Sequence, residues 1–81
     1  MVSFNSRLKL AMTDVDFFCR ELNTLKSKIV LHTNDSELSA KSLLCLLSAD
    51  LGDEIKLTIY PVDEKELSRF KNIITRYGGT F

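Results

Sequence analysis

Histidine is almost missing from this chain: the single one, His32, sits in a segment of alternating apolar and polar residues, with no cysteine, aspartate or glutamate at metal-ligand spacing beside it. That excludes a histidine-based metal centre and any Cys-His or Ser-His-Asp catalytic set, and no cofactor is implied. Glycine is scarce as well, and Gly52, Gly78 and Gly79 all fall at the ends of expected elements, so there is no glycine-rich phosphate loop. The two cysteines, Cys19 and Cys45, have neither CxxC spacing nor a disulfide-rich context, and are expected as free thiols packed like small hydrophobes. No apolar run approaches the ~18 residues that cross a bilayer. The opening MVSFNSRLKL has no charged lead into an apolar stretch, so the expected location is the cytosol, away from membranes. Eleven basic residues balance eleven acidic ones, and no global field favours nucleic acid, a membrane surface or an acidic substrate. Electrostatic specificity has to be local.

What is present is an ordinary globular mixture, 44% hydrophobic and 27% charged over 81 residues, expected as one domain spanning 1–81. A domain of this size buries about 60 to 65% of its unfolded surface, which makes for a thin core. Val2, Phe4, Leu8 and Leu10 alternate with Ser3, Asn5, Arg7 and Lys9, predicting a half-buried first strand whose period breaks at Ser6. Val15, Phe18, Leu22 and Leu25 recur at helical spacing, with Thr13 and Asp16 spaced like a capping box, predicting a helix over 14–26. Ile29, Leu31 and Thr33 alternate with Lys28, Val30 and His32, and a two-residue turn at Asn34 and Asp35 leads to Leu38 and Ala40: a hairpin. Ser42 caps a short helix that Asp50 and Gly52 should end, and Ile55, Leu57 and Ile59 form a central strand stopped by Pro61. Asp63 and Glu66 make a second capping pair ahead of the stripe Leu67, Phe70, Ile74 and Tyr77, closed by Gly78. The order β-α-β-β-α-β-α predicts an α+β open-faced sandwich, a four-stranded antiparallel sheet with three helices on one face and the other face wet.

The run KSKIVLHTNDSELSAKSLLCLL, residues 26–47, carries the functional signal. A serine at a helix start is followed by Leu43, Leu44, Leu46 and Leu47, which a two-turn helix cannot bury together. Leu43, Leu44 and Leu47 are the candidates for a protein-docking surface, and Leu46 for the core. Ser42 serves in any case as an N-cap, and a phosphate there would place ~1.5 to 2 negative charges at the positive end of a helix, with Lys41 alongside to neutralise part of it.

The element order, together with AKSLLCLLS after a strand and tight turn, resembles the histidine-containing phosphocarrier (HPr) family of the bacterial phosphoenolpyruvate-dependent sugar phosphotransferase system. The resemblance implies the HPr-like sandwich, a protein partner, and Ser42 as the regulatory phosphorylation candidate. It also implies a phosphorylatable histidine just after the first strand in a Gly-Ile-His-Ala-Arg-Pro-Ala type motif. Counted back from Ser42, those positions fall on Lys9, Leu10, Ala11, Met12, Thr13, Asp14 and Val15. Ala11 stands where the family histidine would lie and Thr13 where its arginine would lie, so neither the imidazole nucleophile nor the phosphate-holding cation is present. The expectation is therefore a binder with no catalytic residues, one that has lost histidine phosphotransfer and works in regulation through the Ser42 helix. The alternatives are a diverged carrier with an unrecognised acceptor, or a nucleic-acid or ligand binder using the open sheet. By parity Arg7, Lys9, Lys28, Val30, His32, Ser39, Lys41, Lys56, Thr58 and Tyr60 would line that sheet face, but only Tyr60 could stack a base, which argues against nucleic acid.

Overall fold

The computed structural model describes residues 2–49 and 53–81. Strand β1 (Phe4–Lys9) leads through a single 3-10 turn (Met12–Asp14) into α1 (Val15–Leu22). The hairpin β2 (Lys28–His32) and β3 (Glu37–Ser39) follows, then α2 (Leu43–Ser48), β4 (Glu54–Tyr60) and α3 (Glu64–Arg76). The four strands form one antiparallel sheet in the order β1-β4-β2-β3. This is the α+β open-faced arrangement that the sequence pattern predicts, with β4 paired on both sides as the alternation of Ile55, Leu57 and Ile59 implies. The expected stop of α2 at Asp50 and Gly52 lies outside the described residues.

Strand parity accounts for the core. Leu8 faces Ile55 and Ser6 faces Leu57 across β1 and β4, while Ile29 faces Ile59 and Leu31 faces Leu57 across β2 and β4. This inner layer is buried against Phe18 and Leu22 of α1, Leu46 of α2, and Phe70 and Ile74 of α3. Ser6 does not interrupt the inner face. It stays on it, buried, with its hydroxyl donating to the Leu57 carbonyl at 3.5 Å. Val2, by contrast, precedes the strand and is exposed. The hairpin is closed by the Thr33 N–H donating to the Ser36 carbonyl and by the Thr33 hydroxyl accepting from the Ser36 N–H. No non-glycine residue among those described has a positive φ, so Asn34 and Asp35 turn without left-handed backbone.

The first helix is shorter than the 14–26 expected. At its start Ala11 is extended, the first bond runs from the Asp14 N–H to the Ala11 carbonyl, and no side chain caps. The Thr13–Asp16 capping box therefore does not form, and Asp16 instead pairs with Arg20 one turn on at 2.9 Å. At its end Asn23 Nδ2 donates to the Cys19 carbonyl and the Thr24 hydroxyl to the Glu21 carbonyl. Side-chain donors thus take carbonyls that a longer helix would use. Leu25 lies past the helix yet is buried, which is why the apolar stripe runs on through it.

The second capping pair is half formed. Asp63 accepts from the Glu66 N–H at 2.8 Å, but the Glu66 carboxylate turns inward. Its Oε1 accepts from the Lys26 N–H (2.6 Å), the Ser27 N–H (2.8 Å) and the Ser27 hydroxyl (2.9 Å), while Oε2 lies 3.6 Å from Arg69. Burial pushes this carboxyl upward, yet the hydrogen bonds from Ser27 and Lys26 and the Arg69 charge together outweigh it and hold the group below the usual glutamate range. Past α3, Gly78 takes the left-handed conformation at φ 80°, and Thr80 pairs back onto Arg7 of β1. A Cβ on the intervening Gly79 would lie 2.5 Å from Ile74 and 2.8 Å from the Arg7 carbonyl.

Two outcomes follow from these contacts. Glu66→Gln lowers unfolding free energy at neutral pH by about 1 to 3 kcal/mol. Because the folded pKa lies below the unfolded one, the stability it supplies is complete above about pH 4.3 and vanishes as pH falls through the folded value. The gap between wild type and variant, measured by denaturant unfolding at stepped pH, must therefore close on the acid side. Gly79→Ala costs about 1 to 3 kcal/mol by the same measurement, since backbone and packed core atoms must give way to the added methyl.

Candidate docking surface on the second helix

Helix α2 is six residues long and is held from below by one of them. Leu46 is fully buried, whereas Leu43, Leu44 and Leu47 are 39%, 79% and 43% exposed. With 3.6 residues per turn, placing 46 against the sheet forces 44 to the far side and leaves 43 and 47, one turn apart, on the flank. The result is an apolar ridge presented to solvent on a short helix.

Polar contacts from α1 set the position of that ridge. The Cys19 thiol (3.3 Å) and Asn23 Nδ2 (2.9 Å) both donate to the Lys41 carbonyl, immediately before the helix, and Lys41 Nζ donates in return to the Leu25 carbonyl at 2.5 Å. Ser42 is extended and its Oγ accepts from the Cys45 N–H at 3.4 Å, as an N-cap. Lys41, expected alongside Ser42 as a neutralising charge, has its ammonium turned to the end of α1, where it donates to that carbonyl. Both thiols are free, and burial, with the Asp16 charge, pushes the Cys19 thiol up despite the Asn23 hydrogen bond, so it is a packing group and not a nucleophile.

Ala11 and Thr13 occupy the exposed approach to α1, and Ala11 has no side-chain group able to attack phosphorus. Asp14 and Asp16 lie within the same turn and the next, a poor setting for an incoming phosphoryl group. Met12 (63% exposed) and Phe17 (62% exposed) also stand outward here. Sequence reasoning passed over both. Phe17 could have been found, because it falls outside the stripe formed by Val15, Phe18 and Leu22.

His32 lies on the opposite face, at the end of β2. Its Nε2 is 2.6 Å from the Thr58 hydroxyl, which donates to Asn5 Oδ1 at 2.7 Å, and its Nδ1 is 3.7 Å from Glu37. Hydroxyl, imidazole and carboxylate thus fall in the order of a hydrolase triad. The hydroxyl proton goes to Asn5, however, and Thr58 is buried between strands, so this hydroxyl is not presented as a nucleophile. The face as a whole is less basic than parity over lysines and arginines alone suggests. Glu54 and Glu37 share it, Arg7 lies 3.9 Å from Glu54, Val30 is buried, and Lys28 sits over the Tyr60 ring at 5.8 Å.

No protein-family model matches the chain, and no curated protein sequence matches it. Solved structures do. HPr-C-His from Thermoanaerobacter tengcongensis superposes with a TM-score of 0.71 at 17% identity, over 96% of this chain and 92% of its own. A phosphocarrier protein HPr from Bacillus anthracis str. Ames superposes with a TM-score of 0.71 at 14% identity, over 95% of this chain and 99% of its own. Over nearly its whole length, sheet and helical layer together, the chain has the HPr fold.

Proposed function

We propose that residues 1–81 act as a single cytosolic HPr-like domain that docks onto a protein of the phosphotransferase system, or one that regulates it, through α2. The domain is a binder and not an enzyme, and it does not carry phosphate on histidine. One observation supports this above the others: a solvent-facing ridge of Leu43, Leu44 and Leu47 begins at the Ser42 hydroxyl, while Ala11 and Thr13 hold the first-helix approach without nucleophile or cation. The ridge supplies apolar contact area and the serine supplies a place to change its charge. A kinase transferring the γ-phosphoryl group of ATP to Ser42 Oγ would set negative charge at the edge of the ridge, at a helix end whose dipole tolerates it.

Mass measurement tests the phosphorylation half. Incubated with phosphoenolpyruvate and the first enzyme of the phosphotransferase system, the protein gains no phosphate, and a gain would sink the claim of a lost carrier site. Incubated with ATP and the HPr serine kinase, it gains one phosphate that Ser42→Ala abolishes; no gain while a control HPr is modified removes Ser42 as a switch. Substitutions in α2 test the docking half. Leu44→Asp leaves stability within about 0.5 kcal/mol, whereas Leu46→Ala costs about 2 to 5 kcal/mol because it hollows the core. Calorimetric binding to the first enzyme should weaken about tenfold for Leu44→Asp, and equal binding by variant and wild type speaks against the ridge as the contact.

A further inference from the structure

The wet face of the sheet carries a charge arrangement that the docking ridge does not use. In the strand register, Arg7 of β1 lies directly opposite Lys56 of β4, and Lys56 lies opposite His32 of β2. Like charges facing each other across an antiparallel pair oppose folding. Here the opposition is poorly relieved. Among the described residues Lys56 has no ion pair, and the one acid near Arg7 is Glu54, at the outer limit of contact. Beside this pair, Asn5 Oδ1 accepts the Thr58 proton, which fixes the amide with its carbonyl oxygen already used and its Nδ2 hydrogens without a partner among the described residues. Asn5, Arg7, Asn34 and Lys56 line one half-open cleft together with Glu54, so that two cations there stand against a single carboxylate. A guanidinium fork, an ammonium and an amide donor lining one cleft from two adjacent strands are the groups that recognise the oxygens of a phosphate.

We infer that this cleft binds a small phosphate monoester dianion, seated over the Arg7–Lys56 pair and relieving its repulsion. The His32–Thr58–Asn5 chain holds the amide in place and is a positioning device. A nucleic acid fits the cleft poorly, because no Phe, Tyr or Trp lines it and its one ring, His32, is held by Thr58. The proposal rests on the sheet face alone and is independent of the role given to α2.

The test is a ¹⁵N NMR titration of the whole chain with inorganic phosphate, against sodium chloride at matched ionic strength. Saturable shifts confined to the amides around Asn5, Arg7 and Lys56 are expected with phosphate and not with chloride. Lys56→Gln and Arg7→Gln should each weaken binding about tenfold, while Lys65→Gln on α3 leaves it unchanged. A second arm compares glycerol 3-phosphate with phosphatidylcholine vesicles containing phosphatidic acid, and separates a free ligand from a lipid headgroup. Shifts that rise linearly over lysines and arginines on every face, shifts centred on Leu43 to Cys45, or a Lys56→Gln protein that binds like wild type would each overturn the assignment.

Discussion

The inner face of β4 is the constraint from which the rest of the molecule follows. Ile55, Leu57 and Ile59 sit in the middle of a sheet of four strands, and a chain of this length has one layer of helices with which to cover them. All three helices are therefore drawn to the same side, α1 and α3 each contributing three large buried apolar side chains and α2 one. Among the described residues no helix covers the opposite face, which is built mostly from residues that tolerate water. The two surfaces that carry the functional argument, the α2 ridge and the sheet cleft, lie on opposite sides of this single apolar layer.

Polar contacts then decide where the helices sit on that layer. A buried carboxylate, Glu66, satisfies the N–H groups of Lys26 and Ser27 and fixes the turn between α1 and β2 against α3. The Lys41 carbonyl, gripped by Cys19 and Asn23, fixes α2 against α1. Apolar burial is non-directional and would accept several helix placements, whereas these hydrogen bonds accept one. Through them α2 is held with Leu46 inward, and the exposure of its other leucines is a consequence of that placement.

The likeness to HPr structures concerns the fold, and it leaves the chemistry to the residues. At the approach to α1 the side chains are Ala11, Met12 and Thr13, with Asp14 and Asp16 close by. The Ser42 helix survives as a geometric feature: a hydroxyl at a helix start, next to an apolar ridge.

Periodicity in the sequence was enough to determine the element order, the one-sided sheet, the central place of β4, the capping serine and the outward leucines, because alternation and helical spacing are local properties that burial reads directly. The HPr resemblance was legible for the same reason, in the order of elements and the AKSLLCLLS run. Local pattern could not show that Asn23 and Thr24 would end α1 early, because Leu25 stays buried whether or not it is helical. Nor could it show that Glu66 would leave its own N-cap for a turn 40 positions away, that Lys41 would face Leu25, or that the C-terminal Thr80 would pair with Arg7. The same holds for the facing of Arg7 and Lys56 and the presence of Glu54 and Glu37 on the open sheet, which depend on register. Each of these is a contact between residues distant in the chain, and only the tertiary arrangement, by setting which strands and loops meet, could decide them.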